Sequence, residues 1–269
     1  MTSPHAKRWI TAIIALPLLV VLITFGSLTV LSAVVALISL IGLYEYHAML
    51  LPGETRPALI EALLAAPIIT FAAALGGLPL MTAVLVFTVM ALFILFMQRL
   101  RKAQDDLQRF FTAVFGIIYI PFFLAFLLLL RRYDQGVMWV FYVIIITFAG
   151  DVAGFYIGRT WGKRKLVPEI SAGKTQEGAL GSMAGAVAAS VAFTMLFLRE
   201  IPPIQAIFMG FLANVMGQLG DLCESSIKRL SKVKDSGFIL PGHGGLMDRL
   251  DSLLFIIPFV YLYVELVVR

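Results

Sequence analysis

The sequence predicts an all-α, polytopic membrane protein, and three observations carry that prediction. Of its 269 residues, 60% are hydrophobic and only 14% are charged, against about 45–50% and about 25% in soluble domains. Mean hydropathy is +0.95. The apolar residues are gathered into runs near the ~20 residues that cross ~30 Å of hydrocarbon, where a helix satisfies its own backbone hydrogen bonds.

Nine spans are expected: Trp9–Phe25, Leu28–Leu50, Ala58–Leu75, Leu78–Met97, Phe111–Leu130, Val137–Gly158, Gly178–Leu198, Ile204–Leu222 and Leu250–Val268. Pro52-Gly53, Gly76-Gly77-Leu78-Pro79 and Pro202-Pro203 punctuate the joins, since both residue types break regular structure. Lys7-Arg8 before an apolar run resembles a signal peptide. No small-residue cleavage site separates that run from the next, so it reads as a retained first helix. The sequence shows neither an internal repeat nor a soluble domain. The single Cys223 excludes an internal disulfide, and Cys and His are not spaced for zinc.

With nine spans, 17 of the 21 Lys and Arg fall on one side, leaving Arg131, Arg132, Arg199 and Arg269 on the other. The positive-inside rule then places the N-terminus in the cytoplasm. Cytoplasmic loops 159–177 and 226–249 follow, within a division into N-terminal transmembrane helices (1–110) and a C-terminal region (111–269). The net charge of +5 reflects this topology and does not call for a nucleic-acid partner.

The stretch from Ser226 to Asp251 is too polar for hydrocarbon, so it must lie at the surface or line a polar cavity. Asp221 and Glu224 lie three apart at the end of one apolar run, and Asp248 and Asp251 repeat that spacing at the start of another. On a helix each pair shares a face. Taken singly, each pair fits a bland role: Asp248 as an N-cap with Asp251 in the first turn, and Asp221 or Glu224 paired with Lys228 or Arg229. Taken together they make an oxygen-rich set suited to Mg²⁺, beside cations able to hold phosphates: Lys228, Arg229, Lys234 and Arg249.

His243 lies between glycines that permit close backbone approach, and a lone histidine reads first as a turn residue. Ser171-Ala172-Gly173-Lys174-Thr175 invites a phosphate-loop reading, which fails because Pro168 stands where that motif needs its first Gly. What remains is a Gly/Lys/Thr turn able to meet phosphates. Gly150, Gly154 and Gly158 suit close helix packing, with Asp151 bordering a polar cavity. Glu45, His47 and Glu265 receive no role.

Several motifs resemble those of the phosphatidate cytidylyltransferases (CDP-diacylglycerol synthases). They are Ser226-Ile227-Lys228-Arg229, then Lys234-Asp235, Pro241-Gly242-His243-Gly244-Gly245 and Asp248-Arg249-x-Asp251. Upstream, Gly220-Asp221-Leu222-x-Glu224-Ser225, the stretch Asp151–Gly162 and Gly173-Lys174-Thr175-x-Glu177-Gly178 are also similar. Gln176 departs from the usual aromatic, and the likeness is specific over Asp151–Asp251. The resemblance implies transfer of a cytidylyl group from CTP to phosphatidic acid with Mg²⁺, giving CDP-diacylglycerol and pyrophosphate in phospholipid biosynthesis at the cell membrane. By that resemblance Asp221, Asp248 and Asp251 are the metal ligands of a two-metal site whose second ion is not identified, with Glu224 as a further candidate. Lys228 and Arg229 would act beside them. Lys174, Ser226, Lys234, Arg249, His243, Gly244 and Gly245 would meet substrate phosphates. Membrane lipids and a second copy of the chain, paired through the Gly-rich spans, are the implied partners.

Two other readings are weaker. The Asp-Gly…Ala-Arg pattern of CDP-alcohol phosphotransferases is absent. An ion-coupled transporter would place its polar site at the midplane between inverted repeats.

Overall fold

The computed structural model describes residues 17–51, 56–99, 106–238 and 244–268, so the expectation for His243 lies outside the described residues. Seven helices among the described residues are long and apolar enough to cross a membrane, and the chain is an all-α polytopic membrane protein. It divides into two units. The first comprises residues 1–132 and 233–248, and the second residues 133–232 and 249–269. The segment between the last two long helices thus belongs largely with the N-terminal helices.

In the first unit, α1 (residues 17–25) ends at Gly26-Ser27. α2 follows as Leu28–Leu50, and its N-cap Ser27 accepts the Val30 N–H at 3.3 Å, which satisfies one orphan donor of the first turn. α3, Arg56–Arg99, is interrupted at Gly77 (φ 69°, ψ −159°), backbone geometry that glycine adopts without a Cβ penalty. The break turns the chain back on itself, because Arg99 at the end of α3 pairs with Glu61 near its start. The Arg132 guanidinium donates to the Ala74 carbonyl, an acceptor that the break withdraws from the helical ladder.

α4 (Asp106–Ile117) and α5 (Phe123–Arg131) are joined by a π-helical turn, Ile118–Phe122. Its Pro121 has no N–H for the ladder, and such widened turns absorb the defect. Bulky rings hold this unit together. Phe110 stacks on Phe96 with centroids 5.1 Å apart, and Tyr46 on Phe115 at 6.2 Å. Gly116 makes room for the Tyr46 ring, whose edge would lie 2.8 Å from a Cβ there.

The second unit has ring contacts too, Tyr142 with Phe193 at 5.9 Å among them, but adds close backbone packing through small residues. α6 (Gly136–Trp161) and α7 (Gln176–Phe197) approach along small residues. A Cβ on Gly154 would lie 3.0 Å from Ser182 Cβ, and one on Gly185 2.5 Å from Ala153 Cβ. Such faces let backbones close on each other where lipid offers no hydrophobic drive. The glycine face of α6 is therefore covered by α7 of the same chain.

Between these helices lies an antiparallel hairpin that the sequence reading took as a simple turn: β1 (Lys165–Val167) and β2 (Ser171–Thr175). Thr175 caps α7 by accepting the Gly178 N–H at 3.1 Å. The Glu177 carboxylate accepts the backbone N–H groups of Lys163 and Arg164 at 3.0 and 3.2 Å, fixing the entry to the hairpin.

α8 runs over Pro203–Leu230, so Ser226 to Leu230 are helical and not part of the expected loop 226–249. Two features extend it past the apolar run. Lys228 pairs with Glu224 one turn earlier at 2.9 Å, and Lys228 and Arg229 complement the negative end of the helix dipole. α9 (Met247–Tyr263) continues into a π-helical end, Val264–Val268.

Candidate active site

A cavity of about 410 Å³ opens in the second unit, lined by α6, the hairpin, α7, α8 and α9. Its polar wall is a stripe along α8. Asn214, Gln218 and Asp221 follow at four and three residues, one helix face, and all three line the cavity. Asn214 Nδ2 donates to Ser182 Oγ at 2.9 Å; Gln218 Nε2 donates to Asn214 Oδ1 at 2.6 Å and to the Ala179 carbonyl at 3.1 Å. These bonds tie α8 to α7 and satisfy amides that hydrocarbon would not tolerate bare.

Asp221 sits one turn beyond Gln218. The Lys174 ammonium on β2 pairs with its carboxylate, and Ser225 Oγ donates to it at 3.3 Å. α9 approaches α8 at Gly217 and Gly220. A Cβ at Gly220 would lie 2.5 Å from the Asp251 carbonyl, and one at Gly217 2.7 Å from Ile256 Cδ1. This contact sets Asp251 beside Asp221. Asp151, on α6, completes the group: the charge of Asp221 acts on both Asp151 and Asp251, and that of Asp151 on Asp251. Arg249 and Lys174 act on Asp151, and Lys228 acts on Asp251. Three carboxylates and their cations thus share one field, with Asp151, Asp221 and Lys174 on the cavity's lining and Asp251 beside them.

The remaining expected residues take up varied positions. Glu224 is fully buried and held by Lys228, the ion-pair role that the spacing also allowed. Arg229 Nε donates to the Ile170 carbonyl at 3.0 Å, so it ties the hairpin to α8. Ser226 Oγ donates to the Leu222 carbonyl at 2.8 Å. Lys234, Gly244, Gly245 and Asp248 belong to the first unit. There Lys234 is exposed, Gly244 has φ 82°, and Asp248 Oδ2 accepts the N–H groups of Gly245 at 2.9 Å and Ser236 at 3.1 Å.

Sequence reasoning left out Asn214, Gln218, Ser182 and Thr147. Their signal was present, since Asn214, Gln218 and Asp221 form a helical polar stripe within an apolar run.

The donor set, carboxylates in a polar recess, suits a hard divalent cation by ligand type. Among the described residues, however, no three His, Cys, Asp or Glu side chains converge on one point, and Lys174 occupies one face of Asp221.

The sequence model of the cytidylyltransferase family matches residues 6–267. The chain belongs to that family. It is similar to a Bacillus subtilis phosphatidate cytidylyltransferase, 42% identical over 150 residues covering 55% of this chain and 56% of that protein. A Mycobacterium bovis phosphatidate cytidylyltransferase is 40% identical over 143 residues, 53% of this chain and 46% of the relative. The uncharacterized protein YnbB of Escherichia coli is 40% identical over 130 residues, 48% and 43% of the two chains. The chain spans about half the length of the curated relatives it matches.

Proposed function

We propose that this cytidylyltransferase is a phosphatidate cytidylyltransferase, joining CTP and phosphatidic acid to give CDP-diacylglycerol and pyrophosphate. The observation that carries the reading is the cavity lined by Asp151 and Asp221 on long apolar helices and by Lys174 on the hairpin, with Asp251 beside Asp221. A substrate whose tails stay in lipid while its phosphate meets a nucleotide needs such a polar recess. The volume of about 410 Å³ falls in the ~300–1,000 Å³ range of ligand sites.

In the proposed reaction a phosphate oxygen of the lipid attacks the α-phosphorus of CTP. A phosphorus–oxygen bond forms, the bond to the β-phosphate's bridging oxygen breaks, and pyrophosphate leaves with that oxygen. The attacking phosphate is already anionic near neutral pH, so no strong general base is required. The residues' task is to bring two polyanions together and stabilise charge in line. Lys174, held at Asp221, and Lys228 and Arg249, whose charges reach the same acids, are placed to neutralise phosphates. Asp221 and Asp251 are the residues proposed to hold Mg²⁺ together with the substrate phosphates, in a site proposed to take a second ion. When bound, Mg²⁺ supplies charge neutralisation to the triphosphate.

The same reading makes α3 two spans meeting at Gly77. Residues 59–99 would extend about 60 Å as one straight helix, twice the hydrocarbon thickness, and the Glu61–Arg99 pair supports a fold-back. With Trp9–Phe25 counted as the first span expected from the sequence, a total of nine spans would put the N-terminus and the hairpin in the cytoplasm of a cell-membrane enzyme. The homodimer implied by the resemblance would use faces other than the glycine face of α6.

The test is purified protein in nanodiscs with phosphatidate, labelled CTP and Mg²⁺, scoring label in the lipid phase. Label in the lipid supports the proposal, and none from folded protein overturns it. Orientation is tested by placing a cysteine at Lys165 in a Cys223→Ser background. Labelling by an impermeant maleimide in inside-out vesicles but not in right-side-out cells is the expected result.

A further inference from the structure

Glu45 lies within the apolar helix α2 and is 2% exposed. A carboxylate there needs partners, and its hydrogen-bond donors come from a segment some 200 positions later. Glu45 Oε1 accepts the Leu246 N–H at 3.0 Å, and Oε2 accepts the Met247 N–H at 2.9 Å. Ser236 Oγ donates to Oε2 at 3.3 Å. Leu246 immediately precedes α9 and Met247 is its first residue, and the initial N–H groups of a helix have no acceptor within it.

The network then passes one residue further. Ser236 Oγ accepts the Asp248 N–H at 3.3 Å, and the Ser236 N–H donates back to Asp248 Oδ2 at 3.1 Å. The backbone is shaped to admit the acid, for a Cβ on Gly237 would lie 2.5 Å from Glu45 Oε1 and one on Gly245 2.7 Å from Oε2. No ion pair to Glu45 occurs among the described residues, so neutral donors and the positive end of α9 hold its charge.

We infer that Glu45 is a positioning residue for the cytidylyl transfer, a carboxylate from the N-terminal half that fixes where α9 begins. It sets Asp248 through Ser236, and Asp251 one turn along the same helix. It touches no substrate. The inference rests on the reaction proposed above only where turnover is the readout.

The experiment uses the full chain in nanodiscs, with Glu45→Gln, Glu45→Asp and Glu45→Ala variants. Glu45→Gln keeps the shape but sets an amide NH₂ against the backbone donors. We expect it to fold, with kcat per folded molecule down about tenfold or more and KM for CTP within about threefold of wild type. Amide exchange at Gly245–Asp248 should quicken about tenfold or more, with α6 and α7 unchanged. Glu45→Asp should recover more turnover than Glu45→Ala, because a carboxylate is restored.

Wild-type kcat in folded Glu45→Gln would overturn the inference. So would activity losses in all three variants that merely track the fraction folded, or unchanged exchange at Gly245–Asp248. If wild-type protein makes no labelled lipid, the proposed reaction falls. The exchange measurement then still decides whether Glu45 anchors α9.

Discussion

The two units solve the same problem, keeping helices together in lipid, with a different balance of materials. The first interlocks large rings: Phe110 on Phe96, Tyr46 on Phe115. Its buried acid, Glu45, is consumed entirely by backbone and hydroxyl donors. The second strips its helix faces to Gly, Ala and Ser, so backbones touch, and polar side chains line a space. Rings fill volume; small residues leave the backbones close and let the polar groups face a void. A region built for binding is thus marked by what its side chains lack as much as by the acids it carries.

The largest expected effect tests the polar wall. Asp221→Asn keeps the size of the side chain but removes the charge shared with Asp151, Asp251 and Lys174. Turnover in the labelled-lipid assay should fall at least about a thousandfold with thermal stability nearly unchanged. Near-normal turnover would detach the cavity from the chemistry. Lys174→Met should act next, raising KM for CTP by about 10- to 100-fold through the loss of a phosphate partner. An unchanged KM in steady-state titrations of CTP would reduce Lys174 to a mere counter-ion of Asp221.

Packing contrasts come third. Gly185→Val forces a branched side chain where a Cβ already lies 2.5 Å from Ala153, and should cost about 1–3 kcal/mol in an unfolding titration. The same change at Gly116 meets the movable edge of the Tyr46 ring and should cost less. If the two costs are equal, the contrast between a backbone-close and a ring-filled region loses its basis. The smallest effect belongs to Ser182→Ala, which removes the acceptor of Asn214. Hydrogen bonds between membrane helices average about 0.6 kcal/mol, so a stability loss well above 2 kcal/mol would show that the polar ladder holds more than two helices.

Much of this was legible beforehand. α2 occupies the residues its apolar run marked out, and α6, α7 and α9 lie within a few residues of their predicted spans, because length and hydropathy decide a span almost alone; α8 runs eight residues further than its apolar run. Asp221 and Lys174, singled out from separate motifs, pair in the structure, and Asp251 lies beside Asp221. What escaped has physical reasons. The hairpin of β1 and β2 rests on Glu177 reaching back to two backbone N–H groups, a contact no periodicity encodes. The extension of α8 through Ser226–Leu230 is supported by Glu224 pairing with Lys228, a pairing the spacing allowed alongside a ligand role. Glu45 carried no motif, since its partners are backbone donors about 200 residues away, and a backbone donor has no letter in a sequence.

That separation also sets a clock. Glu45 precedes Leu246 and Met247 by 201 and 202 positions, so at ~5–20 residues per second of synthesis it emerges roughly 10–40 s before the groups that will hold it. Through that interval the acid has no backbone partner to meet, and water at the bilayer face must serve instead. The end of α2 therefore completes its hydrogen bonds only once the start of α9 has been made.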